Sequence, residues 1–173
     1  MKKEKLYFLF VLSLIFLLSS CSKLIPAEFW KNYKTELIIE NVNDQGPYGG
    51  NRAIYWKTKA VNTFDSKKVI EFAEENGWEL TGKEKFKSEI IRNWKIGNKL
   101  IFPLSYSGFQ PKLENDETYQ NFPRWINSNI TLYKFKTNFI TIEPGTDNST
   151  EENGFILINE NETQMSVYNL WGE

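Results

Sequence analysis

The sequence predicts an α+β domain: an antiparallel β-sheet with a C-terminal four-strand meander, and one main helix at about residues 66–76 packed on one face. Two observations predict it. From Thr35 to Val61, and again from Ile130 to Trp171, short runs rich in Val, Ile, Thr and aromatic residues are punctuated by clusters of Gly, Asn and Asp, the pattern of strands and turns. Only Ser66 to Asn76 combines apolar residues at helical spacing with clear start and stop signals. The single cysteine, Cys21, can form no internal disulfide, so stability must come from packing, for which 16% aromatic residues and six Trp provide large rings.

Thr35 to Val42 reads as the first strand, with Leu37 and Ile39 on one face, and the Asn, Asp, Gly and Pro residues from Asn43 to Asn51 read as a loop. Arg52 to Val61 reads as the second strand, with Ile54, Trp56, Thr58 and Ala60 alternating against Tyr55, Lys57 and Lys59, so the two make a hairpin. Residues 21–35 are expected to lead into this body, either extended past Pro26 or with Ala27 to Tyr33 as a short helix that packs its rings.

The helix has the best local signals. Asp65 can cap it, because a carboxylate accepts from the free N–H groups of the first turn, and Phe64 can staple onto Val69. Val69, Phe72, Ala73 and Asn76 fall on one face. Gly77 then offers the left-handed residue that ends a helix and returns Trp78 over Ala73. Lys67 and Lys68 near the start and Glu71, Glu74 and Glu75 near the end oppose the helix dipole, each by roughly tenths of a kcal/mol when exposed, so the packed face decides.

Trp78 to Thr81 is expected to be a strand. Phe86, Ile90 and Trp94 fit either a helix or the inward face of a strand, which leaves residues 86–96 open. Lys99 to Tyr106 is strand-like, and residues 107–129, rich in Pro, Asn and acidic side chains, form a long loop of the kind that often carries function. Ile130 to Lys136 and Phe139 to Glu143 read as a hairpin around Thr137-Asn138, residues 145–153 as a polar loop, and Gly154 to Ile158 as a buried strand. In the last strand Met165, Val167 and Trp171 face one way, with Tyr168 and Leu170 facing the other.

Absences constrain the chemistry. With no histidine anywhere and one cysteine, Ser-His-Asp and Cys-His nucleophile systems and the usual zinc sites are excluded. Paired-carboxylate chemistry, a Ser-Lys dyad and an oxygen-ligand cation site survive, but 22 acidic residues are mostly solvated surface, and a Ser-Lys pair leaves no local signature among lysines that are mostly exposed. Asp147 to Glu152 has oxygen ligands at alternate positions yet lacks the glycine and closing glutamate of a calcium loop, and a polar turn explains it better. Gly46 to Gly50 is not followed by Gly-Lys-Ser/Thr and precedes a strand, so hairpin geometry accounts for its glycines. No cofactor is implied.

The first 21 residues specify a location. Lys2, Lys3 and Lys5 precede an apolar run from Leu6 to Leu18, shorter than the roughly 20 residues that span a bilayer, and Leu18-Ser19-Ser20-Cys21 follows. This order resembles the signal peptide and lipobox of bacterial lipoproteins. The resemblance covers residues 1–22 and implies that residues 1–20 are cleaved, that Cys21 carries lipid at the amino terminus, and that residues 21–35 link it to a single domain over 36–173. A lipid-anchored place in the bacterial cell envelope is expected, with Ser22 after the cysteine favouring the outer membrane if the bacterium is Gram-negative. Several acyl chains together hold a protein stably where one does so only marginally.

Without residues 1–20, which carry three lysines and one glutamate, 18 basic and 21 acidic residues remain, and such a surface does not suit nucleic acid. Tyr119, Phe122, Arg124 and Trp125 in the long loop are residue types enriched at interface anchors and form the candidate binding surface, although rings of this kind also plug the end of a sheet. The expected function is therefore a binding or interaction module, with an envelope or secreted protein as partner and an inhibitor or immunity protein as its narrower form. The alternative is a carboxylate-dependent hydrolase of cell-wall glycan.

Overall fold

The computed structural model describes residues 25–59, 63–89, 91, 95–96, 99–100, 104, 125–143 and 145–172. Two 3-10 turns, Glu28–Asn32 and Thr35–Leu37, lead into β1 (Ile38–Gln45) and β2 (Gly49–Lys57). Helix α1 (Ser66–Glu75) and β3 (Glu79–Phe86) follow, then the short pair β4 (Lys95–Ile96) and β5 (Lys99–Leu100), and finally β6 (Ile130–Ile142), β7 (Ser149–Asn159) and β8 (Gln164–Gly172). Six strands form one antiparallel sheet in the order β1-β2-β8-β7-β6-β3, apart from one parallel pairing of Thr141 with Gly172.

The α+β class and the first hairpin hold, with a tighter turn than the composition suggested. Residues 43–45 pair with 50–52 across β1 and β2, which leaves Gly46 to Gly49 between the paired residues to turn the chain, closed by Gly46 N–H donating to Gly49 O at 2.8 Å. Helix α1 also forms as its signals specify. The Asp65 carboxylate accepts from Lys67 N–H at 2.9 Å, and Phe64 and Val69 are both fully buried in one cluster. At the far end Gly77 adopts φ 86°, while Gly77 N–H donates to Glu74 O and Trp78 N–H to Ala73 O, the paired bonds of a Schellman cap. Asn76 and Phe72 are less buried than Val69 and Ala73, so the apolar stripe is narrower than its spacing implied.

The C-terminal region differs from the expected four-strand meander. Thr137-Asn138 does not turn the chain; it lies within one 13-residue strand, β6, so only β6, β7 and β8 form a meander, with β3 and β2 added at its sides. Lys136 pairs with Glu152 and Thr141 with Thr150, so the residues between Lys136 and Thr141 bulge out. The buried Asn153 holds that bend: its amide donates to Phe139 O at 2.8 Å and to Thr141 Oγ1 at 2.9 Å, and its carbonyl accepts from Thr137 Oγ1 at 2.5 Å. Asn138 takes the left-handed conformation, φ 62°, and its amide reaches Gly77 O at 3.1 Å, fastening the bend to the helix cap. Strand β7 starts at Ser149, inside the expected polar loop, and β3 continues past Thr81 to Phe86. Of the ambiguous 86–96 stretch, Phe86 ends β3 and Lys95–Ile96 is a strand, while Ile90 and Trp94 lie outside the described residues.

The sheet is buried on both faces. Ile54, Trp56, Tyr133, Phe135, Ile156, Ile158, Met165 and Val167 pack with α1 and with Trp30 of the first 3-10 turn. Ala53, Tyr55, Leu132, Phe155, Leu157 and Tyr168 pack on the opposite face, against Ile91, Leu104 and Ile126. The central strands therefore carry apolar residues at successive positions rather than alternate ones, and a single covering helix is only half of the architecture. The short-helix alternative for residues 27–33 is the one adopted, as a 3-10 turn over Glu28–Asn32: Trp30 is fully buried, 5.6 Å from Trp78, 6.1 Å from Trp56 and 5.3 Å from Phe72 between ring centroids.

Candidate functional site

Of the four side chains grouped as a binding surface, Trp125 is described; Tyr119, Phe122 and Arg124 lie outside the described residues, as does Cys21. The Trp125 ring stacks on Tyr55, 5.5 Å between centroids at 12°, and on Tyr168, 6.0 Å at 16°. Tyr168 faces Ala53 directly across β2 and β8, so Tyr55 is its diagonal neighbour on the same face. Trp125 thus lies flat on two adjacent strands, half-buried beside the buried Ile126. Tyr55 is fixed in turn by its hydroxyl, which donates to Gln164 Oε1 at 2.9 Å, and burial raises the pKa of its phenol.

Two open grooves flank the α1 side of the sheet. One, of about 380 Å³, lies where β3 ends and β6 begins, with Lys85, Lys87, Asn129, Tyr133, Glu160 and Glu162 among its walls. Asn129 organises its floor by accepting from Ser88 N–H at 3.0 Å and donating to Glu160 Oε2 at 3.1 Å. The other, of about 540 Å³, lies between the 3-10 turns and the start of α1, lined by Tyr33, Lys34, Leu37, Asp65 and Lys68. Lys34 Nζ donates to Thr63 O at 3.2 Å and sits 5.0 Å over the Phe64 ring, which commits its charge to the fold. Both grooves mix charge signs and apolar walls, a lining suited to binding a polar surface.

Two carboxylates in the described residues have displaced ionisation, and both move the same way. The hydrogen bond from Lys31 holds Glu28 below the ordinary carboxylate range, helped by the charges of Arg52 and Lys31 against partial burial. Burial pushes Glu152 up, but the hydrogen bond and charge of Lys134, with a hydrogen bond from Thr81 and the charge of Lys136, together offset it, and the net shift is downward. A general acid needs the opposite, a carboxyl kept protonated near neutral pH. Among the described residues no group of three His, Cys, Asp or Glu side chains converges as a metal site would require. The Asp147 segment is a turn whose polar groups bond one another: Thr146 Oγ1 donates to Glu143 O, Asn148 N–H to Thr146 Oγ1, and the Asn148 amide to a Glu143 carboxylate oxygen.

The sequence did not single out Arg52, which is 3% exposed yet charged. Its guanidinium donates to Asn41 Oδ1 at 3.3 Å and forms an ion pair with Glu28, joining β1, β2 and the first 3-10 turn. Its only signal was its place at the head of an otherwise apolar run. Among the described residues no helix is long and apolar enough to cross a membrane. Comparison with protein-family models, curated proteins and solved structures finds no match to this chain.

Proposed function

We propose that this chain is a lipid-anchored protein of a bacterial cell envelope, held to the membrane through Cys21, and that its domain is a binding module that performs no chemistry. The order of residues 1–21 supports the anchor. Packing is consistent with it, because Pro26 and Ala27 are already buried, so packed residues begin shortly after the cysteine that would become the amino terminus.

The observation that carries the binding reading is the two open grooves beside α1, whose linings mix both charge signs with apolar side chains. A chain without histidine agrees with it. The proposed partner is an envelope or secreted protein, and an inhibitor or immunity protein is the narrower form. Cys21→Ser should prevent incorporation of labelled fatty acid and move the protein out of the membrane fraction; unchanged membrane association without label would refute the anchor. The soluble 22–173 fragment should release no product from peptidoglycan, and turnover abolished by replacing a single Asp or Glu would establish the glycan hydrolase instead.

A further inference from the structure

The three exposed large apolar side chains of the described residues are not scattered evenly: Tyr48, 80% exposed, and Ile140, 54% exposed, share one end of the sheet, and Ile39 lies near the other. Gly49 pairs with Gly172 and Gly172 with Thr141, so Tyr48 and Ile140 flank two strand spacings, about 10 Å apart. Gly172 adopts φ 81°, and a Cβ there would meet Tyr48 O at 2.1 Å, so this close approach of the β1–β2 turn to β8 depends on glycine.

The first 3-10 turn runs towards the same end when followed upstream. Tyr33 O accepts from Trp56 Nε1 at 2.8 Å, whereas Glu28, one turn earlier, pairs with Arg52, four residues nearer the Gly49 end of β2. Ile25 O accepts from Glu28 N–H at 3.2 Å, keeping the chain beside that pair. Four peptide steps separate Ile25 from Cys21 and reach about 14 Å at most.

We propose that the Tyr48–Ile140 end of the sheet rests on the bilayer that holds the lipid, so that the domain sits on the membrane in one orientation. This rests on the anchoring of Cys21 proposed above. A tyrosine suits the boundary because its ring is apolar and its hydroxyl wet. Asp44, Glu143 and Asp147 lie at the same end and give it no electrostatic attraction to an anionic surface, so Tyr48 and Ile140 orient a protein whose acyl chains supply the affinity.

The test uses the full-length acylated protein in phosphatidylcholine vesicles, with a fluorescent thiol label at Tyr48→Cys, Ile140→Cys or, as reference, Glu74→Cys on the exposed side of α1. Nitroxide-bearing lipid should quench positions 48 and 140 at least about threefold more than position 74, since interfacial groups sit ~5–10 Å into the headgroup boundary. Equal quenching at all three positions, with fatty acid present on Cys21, overturns the orientation and leaves the anchor standing. Protection of position 48 from aqueous iodide without quenching by lipid also overturns it, because a protein would then cover that end. Absence of fatty acid and of vesicle binding refutes the anchor itself.

Discussion

Glu28 and Arg52 form an ion pair between a 3-10 turn and the middle of the sheet in which the two partners are unequally exposed, the carboxylate at 32% and the guanidinium at 4%. The buried partner sets the cost of breaking the pair, since a guanidinium left without its counter-charge stays 4% exposed with Asn41 Oδ1 as its remaining acceptor among the described residues.

Glu28→Gln should therefore destabilise the domain by about 1–3 kcal/mol, because Gln keeps an acceptor but removes the charge that strengthens the hydrogen bond to the buried guanidinium. The pair also sets a pH dependence. Glu28 has its folded pKa below the ordinary 4.5, so its contribution is fully present above that value and is lost as pH falls through the lower, folded one. Urea midpoints of the wild type should fall below about pH 4.5 more steeply than those of Glu28→Gln. Parallel acid profiles would remove Glu28 from the account.

At the helix C-terminus, Gly77→Val should cost at least about 1–2 kcal/mol, because a β-branched residue is strained at φ 86°. Glu74→Ala, on the exposed side, should stay within about 0.5 kcal/mol. Chemical denaturation of the 22–173 fragment compares them directly, and equal midpoints would contradict the cap.

Asn153→Leu keeps the branched shape but removes the groups that hold the bend in β6. Phe139 O, Thr137 Oγ1 and Thr141 Oγ1 each lose a bond, and at about 1–3 kcal/mol per buried orphan the loss should exceed most surface substitutions several-fold. Thermal unfolding would show it as a large drop in Tm.

Trp125→Ala should destabilise by about 2–3 kcal/mol, less than the 3–5 of a fully buried Trp, because its ring covers Tyr55 and Tyr168 while remaining half-exposed. Loss of stability shows in the denaturation midpoint. An unchanged midpoint would return Trp125 to the role of a free recognition residue.

Helix α1 was legible in the sequence because each of its signals acts within a few positions: Asp65 on Lys67 N–H, and Gly77 on the carbonyls of the last turn. The bend at Thr137-Asn138 was misread for the opposite reason. Asn138 has the left-handed backbone that also suits a hairpin turn, and the residue that keeps the strand going, Asn153, comes 16 positions after Thr137. Arg52 was equally hidden, since its meaning depends on Glu28, 24 positions upstream. Among the site residues, the flat stack of Trp125 on two strands required knowing that β2 and β8 are neighbours, which no local pattern reveals.

That neighbourhood also governs how the protein reaches its folded state. β2 pairs with the last strand of the chain, and Tyr55 finds Gln164 across 109 positions. Pairings of such long range close slowly, because the entropy of the intervening loop is lost before the contacts reward it. A chain emerging amino end first would form the β1–β2 hairpin early, then hold Ala53 to Trp56 open on one edge until residues 164–172 arrive. During that interval the exposed β2 edge is a site for pairing with another chain, and the time spent there, rather than the final stability, sets how much protein is lost to aggregation.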